Sequence, residues 1–401
     1  MKAALHGVRV LESASFVAGP HAGMILGDLG AEVIKVEPLS GDSSRKAPPH
    51  EQAGATPYFR SANRNKKSLT LDLQHPEGRQ VFYDLARVSD VLVAAHRPGV
   101  LARLGLGYEE LSRINPRIIV VEISGFGQNG PYRDRPGYDF LAQAYSGIAY
   151  LVANEGELPR TTRLSVIDVV AGTNAAVAVL AALHQRHDSG RGQFIDIALL
   201  DSAVSLLSYH VANYFAFGAE PERPKDSAHP HWAPCQVFQT KDDAIFVAAL
   251  AQHQFRVLCE ELGIPDIADD SRFDSAIHRA ANREHLAEIV GARLASRTTT
   301  DWLKAFVAKS IPAAPLHDLH EALADEQVSA RSMVVSVDDP DIGMSRIVGN
   351  PYKMPGAVDH FQAAPRLGEH THEILEVLLG YPPEKVAELD GSGALRRKAS
   401  D

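Results

Sequence analysis

The stretch VRVLESASFVAGPHAGMILGDLGAEVIKVE, residues 8–37, decides the fold class. Residues 8–12 read as a short apolar strand, and a loop then leads into a helical pattern over 20–29. Pro20 suits a first helical position, because its missing N–H would find no partner there. Gly30 ends the helix, and residues 31–37 form a second apolar strand. Two strands joined through a helix in so short a span pair in parallel through a right-handed crossover.

The same rhythm continues outward. Strands are predicted at 68–73, 90–94, 117–123 and 193–197, with helices at 76–88, 108–114 and from about Asp201. The fold class is therefore α/β, with a doubly wound, Rossmann-like parallel sheet in a large domain over residues 1–217. Residues 218–234, GAEPERPKDSAHPHWAP, break the pattern with proline and charge. Strands at 236–239 and 244–249, then helices at 253–262, 282–296 and 300–309, predict a smaller α+β domain, so that linker and domain span 218–328. Strand-like segments at 329–355 and a helix at 371–379 bring residues 329–401 back to the large domain.

The 401 residues carry 50 acidic and 40 basic side chains, a net charge of −10 that argues against nucleic acid as the main partner. With 45% apolar and 22% charged residues, the chain reads as an ordinary globular protein. No uninterrupted apolar run reaches the ~18 residues of a membrane span, and residues 1–13 lack the apolar core of a signal peptide. The expectation is a cytoplasmic protein without a membrane partner. Cys235 and Cys259 are the only cysteines, too few for a disulfide framework.

Three local patterns invite chemistry. The loop Val17-Ala-Gly-Pro-His-Ala-Gly23 follows a strand, but its glycines lack the G-x-G-x-x-G spacing, and Pro20 removes a donor from the anion site. A nicotinamide or flavin dinucleotide is not expected there. His229-Pro-His231 near Cys235, and His370-Thr-His372-Glu373, lack metal-site spacing, so no metal is predicted. Thr371 instead reads as a helix cap. Asp168 opens an apolar helix over 169–186, and two readings stand side by side. One is an N-cap aspartate. The other is a carboxylate held as the anion by the helix N-terminus and able to attack an activated acyl group. Local pattern leaves both open.

Several collinear segments carry a resemblance. They include Leu29-Gly-Ala-Glu-Val-Ile-Lys-Val-Glu37, Asn63-Arg-Asn-Lys-Lys-Ser68, Arg97-Pro-Gly99, Ser124-Gly-Phe-Gly127, Gly137-Tyr-Asp139, Gly190-Arg-Gly-Gln193 and Leu367-Gly-Glu-His370. Together the chain resembles the class III CoA-transferases, the superfamily of formyl-CoA transferase, carnitine CoA-transferase and α-methylacyl-CoA racemase. The resemblance implies interlocked ring-like homodimers and no permanently bound cofactor. The resemblance implies that coenzyme A enters as part of an acyl-CoA substrate, with succinyl-CoA as the candidate donor, and that a small carboxylic acid accepts it. Asp168 falls on the family nucleophile, which passes through aspartyl anhydride and aspartyl-CoA thioester intermediates. The racemase branch is the alternative, but its histidine position holds Tyr138, a poor base at neutral pH. The resemblance places Phe16, Val17, Ala18, Leu71, Arg103 and Tyr138 against CoA, and Arg97 is assigned to the CoA phosphates by its charge. Arg45 and Lys46 are candidate phosphate cations, since Pro38, Gln74 and Pro136 stand where the family has basic residues. His229, His231 and Trp232 are candidates for touching the acid.

Overall fold

The computed structural model describes residues 2–48, 54–357 and 360–395. The chain divides into two compact units. The larger comprises Met1–Ser146, Thr162–Leu206 and Glu326–Asp401, and the smaller Gly147–Thr161 and Leu207–Asp325. The smaller unit thus begins at 207 rather than 218 and takes in 147–161, a short excursion whose sequence carries no linker signal.

The larger unit is built on six strands: β1 (Arg9–Ser13), β2 (Glu32–Glu37), β3 (Lys66–Thr70), β4 (Val91–Ala94), β5 (Ile119–Ser124) and β6 (Phe194–Ala198). Their order is β3-β2-β1-β4-β5-β6, every pair parallel. Helices α1 (Ala18–Asp28), α2 (Pro57–Ala62), α3 (Pro76–Arg87), α4 (Val100–Arg103), α5 (Tyr108–Ile114) and α6 (Asp139–Ser146) run between them. After α7 (Ile148–Val152) in the smaller unit come α8 (Val166–Ser189) and α9 (Leu199–Leu206) in the larger. β4 and β5 are buried along their whole length, as central strands covered on both faces require. Leu11, Ile34, Leu69, Phe82, Leu92 and Val120 lie in one core cluster.

The third strand is displaced from its sequence reading, Lys66–Thr70 in place of 68–73. The strand opens on two adjacent lysines, Lys66 and Lys67, with no apolar residue before Leu69 to mark its start, yet the Lys66 side chain is fully buried, with Glu12 neutralising it at 2.7 Å. Helix α1 starts two residues earlier than expected, so Pro20 is its third residue, still within the turn whose N–H groups need no intrahelical partner.

Helix α8 is long and apolar enough to cross a membrane, which a search for uninterrupted apolar runs does not reveal. Its small residues Ala171, Ala175, Ala176 and Ala182 form a buried face, while Val169 and Val177 are exposed. The strand-like return after 329 is a separate antiparallel hairpin, β10 (Val334–Asp339) with β11 (Gly343–Val348), outside the six-stranded sheet. At 371–379 a single helical turn, Thr371–Glu373, passes into a wider π turn, with His370 rather than Thr371 in the capping position.

The smaller unit holds a three-stranded antiparallel sheet of β7 (Cys235–Gln239), β8 (Ala244–Ala248) and β9 (Ala313–Pro315). Strand β9 was not legible, being three residues ending in proline. Helix α10 (Ser208–Phe217) precedes the sheet, and α11 (Gln252–Glu261), α12 (Ala276–Ala281), α13 (Arg283–Leu294) and α14 (Thr299–Ala308) accompany it. Phe238, Val247, Phe255, Leu286, Trp302 and Phe306 fill its core. Both cysteines are unpaired and buried, and burial pushes the Cys259 thiol up to about 12.

Candidate active site

Strand order reverses between β1 and β4, and the crevice beyond the carboxyl ends of such strands is where open α/β sheets take ligands. A cavity of about 490 Å³ lies there, lined by loops that follow β1, β4 and β5. Phe16, Val17 and Ala18 come from the first loop, and Ala95, His96 and Arg97 from the second. Ser124 at the end of β5 and Gly125 open the third, and Arg135, Tyr138, Asp139, Tyr58, Ser165 and Asp168 also line the wall. Gly125 and Gly137 pass back to back, where a Cβ on Gly125 would lie 2.5 Å from the Gly137 Cα. That contact brings the Arg135–Tyr138 segment onto the end of β5.

Asp168 is not the N-cap. Helix α8 begins at Val166 behind Ser165, which places Asp168 third in the helix. The free N–H groups of this end are taken by Asp139, at the start of α6. Its Oδ2 accepts from the Ile167 N–H at 2.6 Å and from the Asp168 N–H at 3.0 Å. The Gln143 amide donates to the other oxygen of Asp139, and Gln143 in turn accepts from the Thr162 N–H at 2.8 Å. One carboxylate therefore occupies the favourable anion position, and the second is left half-buried beside it. Burial, and then the charge of Asp139, push the Asp168 carboxyl up to about 7. The sequence reading of Asp168 as the helix-stabilised anion is corrected: that position belongs to Asp139. At neutral pH Asp168 is divided between acid and carboxylate, the ionised part being desolvated and without an ion-pair partner among the described residues.

Opposite stands an aromatic wall. Phe16 and Tyr58 meet edge to face at 6.5 Å. Burial and the nearby Asp168 charge raise the Tyr58 hydroxyl above its ordinary value, so it is a donor at neutral pH. His96 shares a 2.9 Å hydrogen bond between its Nε2 and the Ser13 hydroxyl, and burial lowers its pKa. The cavity thus combines a carboxyl group poised near neutrality, a phenol donor, a weakly basic imidazole and the cations Arg97 and Arg135. Such a set suits attack on an activated acyl group carried by an anionic ligand. The described residues contain no group of three His, Cys, Asp or Glu side chains able to hold a metal ion.

A model of CoA-transferase family III matches residues 5–371. The chain belongs to that family. It is 37% identical over 400 residues to succinyl-CoA:glutarate CoA-transferase of Mus musculus, covering 98% of this chain and 90% of the mouse protein. Succinyl-CoA–L-malate CoA-transferase beta subunit of Chloroflexus aurantiacus is 37% identical over 392 residues, with 96% of each chain covered. A crystal structure of a CAIB/BAIF family protein from Brucella suis superposes with a TM-score of 0.83 at 34% identity, covering 94% of this chain and all of that one.

Of the positions that family resemblance singled out, Phe16, Val17, Ala18, Arg97, Tyr138 and Asp168 line the one cavity. Leu71 does not: it is 1% exposed and packs with Leu69 and Phe82 in the core. Arg103 ends α4, exposed and outside the lining. Arg45 is unavailable to a phosphate, because its guanidinium grips Glu37 at 2.7 and 2.8 Å and stacks over Phe59. Lys46 is exposed and outside the cavity. His229, His231 and Trp232 belong to the smaller unit, where His229 meets the Tyr209 hydroxyl at 3.3 Å and His231 meets Asn213 at 3.0 Å. Asp139, Tyr58 and Arg135 were not singled out. For Asp139 the signal was present, as the third residue of Gly137-Tyr-Asp139. For Tyr58 and Arg135 there was none.

Proposed function

We propose that this enzyme moves CoA from an acyl-CoA donor of the succinyl-CoA type to a short carboxylic acid, with Asp168 as nucleophile. The observation that carries the reading is the half-buried, unpaired Asp168 carboxyl in the switch-point cavity. The relatives named above use succinyl-CoA and supply the substrate class.

In the ionised fraction, an Asp168 oxygen attacks the thioester carbonyl. The carbon–sulfur bond breaks, CoA leaves as thiolate, and an acyl-aspartyl anhydride remains. The thiolate then attacks the aspartyl carbonyl, releasing the donor acid and forming an aspartyl-CoA thioester. An acceptor carboxylate repeats both steps in reverse, and the product acyl-CoA departs with the Asp168 carboxylate restored. No net proton is taken up. Tyr58 is placed to donate to the oxyanion that develops at each carbonyl. The burial that raises the Asp168 pKa also leaves its anion poorly hydrated and more basic, a better nucleophile than a paired carboxylate.

Phe16, Val17, Ala18, Arg97 and Tyr138 are assigned to CoA, which is substrate and product rather than a resident cofactor. A homodimer is part of the proposal: Val169 and Val177 leave an apolar strip exposed on α8, and Phe215 and Phe217 are each 80% exposed on α10. Two unpaired buried cysteines are in keeping with a reducing, cytoplasmic setting. The racemase alternative is not favoured, since Tyr138 and the named relatives both speak for transfer. Wild-type enzyme treated with succinyl-CoA and then hydroxylamine should carry one hydroxamate, located at Asp168 by peptide mass mapping. A label on any other residue would overturn the assignment.

A further inference from the structure

We propose that Asp42, which lies outside the cavity lining, is a positioning residue that holds the acyl-CoA wall of the site from a buried ionic anchor. The inference rests on the reading of the cavity as an acyl-CoA site.

The wall begins with a strained turn. Phe16 has φ of 65°, a left-handed conformation that a bulky side chain adopts only where surrounding structure imposes it. Two contacts impose it here. The Ala14 carbonyl accepts from Lys35 Nζ at 2.8 Å, and the Phe16 N–H donates to Asp42 Oδ1 at 3.4 Å. Lys35 and Asp42 are themselves joined, Nζ to Oδ2, at 2.9 Å, both side chains wholly buried. One ion pair thus grips the turn at both ends.

The anchor is itself fixed. Glu12 Oε1 accepts from Lys35 at 2.8 Å. The Asp42 N–H donates to Glu37 Oε2 at 2.9 Å, and Arg45 holds the same carboxylate. Asp42 Oδ1 also accepts from the Ser44 N–H and hydroxyl, each at 2.8 Å, which sets the short helical turn Ser43–Lys46. Ser43, immediately after Asp42, lines the cavity beside Phe16 and Tyr58. A single carboxylate therefore determines where the Phe16 edge of the wall stands relative to Ser43.

Asp42→Glu keeps the charge facing Lys35, but its extra methylene prevents one carboxylate from serving Lys35, Ser44 and Phe16 together. With succinyl-CoA and glutarate as probes, it should raise KM for succinyl-CoA about tenfold, while kcat and KM for glutarate stay within about threefold of wild type. Asp42→Asn keeps the acceptor for Phe16 and Ser44 but loses Lys35, so KM for succinyl-CoA should rise clearly less than in Asp42→Glu, even where its melting temperature is lower. Unchanged KM in Asp42→Glu, or an equal rise in both variants, would overturn the proposal. Should Asp42→Asn not fold, the glutamate variant decides alone. If wild type transfers no CoA between these probes, the functional reading fails by itself. Hydrogen exchange of residues 13–19 then judges Asp42: protection lost in Asp42→Glu supports it, and wild-type protection there refutes it.

Discussion

Two places in the larger unit bury carboxylates, and they do so in opposite ways. Beneath the β1 loop every acid faces a cation: Glu12 bridges Lys35 and Lys66, and Glu37 holds Arg45. At the head of α8, Asp139 and Asp168 share one helix end, and neither has an ion-pair partner among the described residues. In the first place the charges are matched and fixed. Burial pulls the Lys35 ammonium down, but Glu12, Asp42 and Glu37 more than offset this and hold it protonated. In the second place burial and like charge act in the same direction, and a carboxyl is left near neutrality. Paired burial builds a scaffold; unpaired burial leaves a reactive group.

The largest effect expected from this contrast is at Asp168. Asp168→Asn should lower CoA transfer by at least about a thousandfold, measured as initial rate with succinyl-CoA and glutarate. The same change should not lower the melting temperature at pH 8, because it removes a repelled charge. An active Asp168→Asn variant, or one that unfolds readily, would place Asp168 with the scaffold instead.

In the paired cluster the order of effects reverses. Glu12→Gln leaves two buried ammonium groups sharing no carboxylate, and losing one partner of a buried pair costs about 3–5 kcal/mol. The melting temperature should fall by about 5 °C in a chain of this size, as read by calorimetry. Burial already lowers Lys66 to about 8, so the variant should recover part of its loss at higher pH as that amine sheds its proton. A change of only a degree or two would mean that the pairing contributes little.

The smallest effect sharpens the second place. The Asp168 pKa is raised, from 3.8 to about 7, so activity should climb through pH 7 as the nucleophile ionises. The native state binds the extra proton between these values, so the Asp168 contribution to stability should decline from pH 4 to pH 7, a slope that Asp168→Asn removes. Asp139→Asn keeps an acceptor for the helix end but removes the neighbouring charge. Its pH–rate midpoint should lie below that of wild type. A midpoint that stays put or rises would separate the two aspartates.

The parallel sheet was legible because alternation of apolar strands and helices is a local signal, and the β1–α1–β2 rhythm repeats it four times over in different words. Lys66 and Lys67 hid the true start of β3: Lys35 is flanked by apolar residues that mark its strand, whereas two adjacent lysines carry no apolar signal until Glu12 is known to lie across from Lys66. Gly19 and Gly23 failed as a dinucleotide fingerprint, and the structure gives Gly23 another purpose. A Cβ there would lie 2.0 Å from Glu12 Oε2, so the glycine makes room for the buried acid. Arg45 was a reasonable phosphate ligand by type, until Glu37 proved to hold two of its three guanidinium nitrogens.

By itself the sequence determined where most strands and helices of the larger unit lie, their doubly wound class, and the one aspartate at the head of the apolar helix. These follow from periodicity, from caps and breakers, and from collinear family segments, all of which act over a few residues at a time. Only the tertiary structure decided the ionisation of that aspartate and the availability of each cation. Asp139 reaches Asp168 across 29 residues and Lys35 reaches Glu12 across 23. A charge buried at low dielectric takes its character from whatever the fold sets beside it.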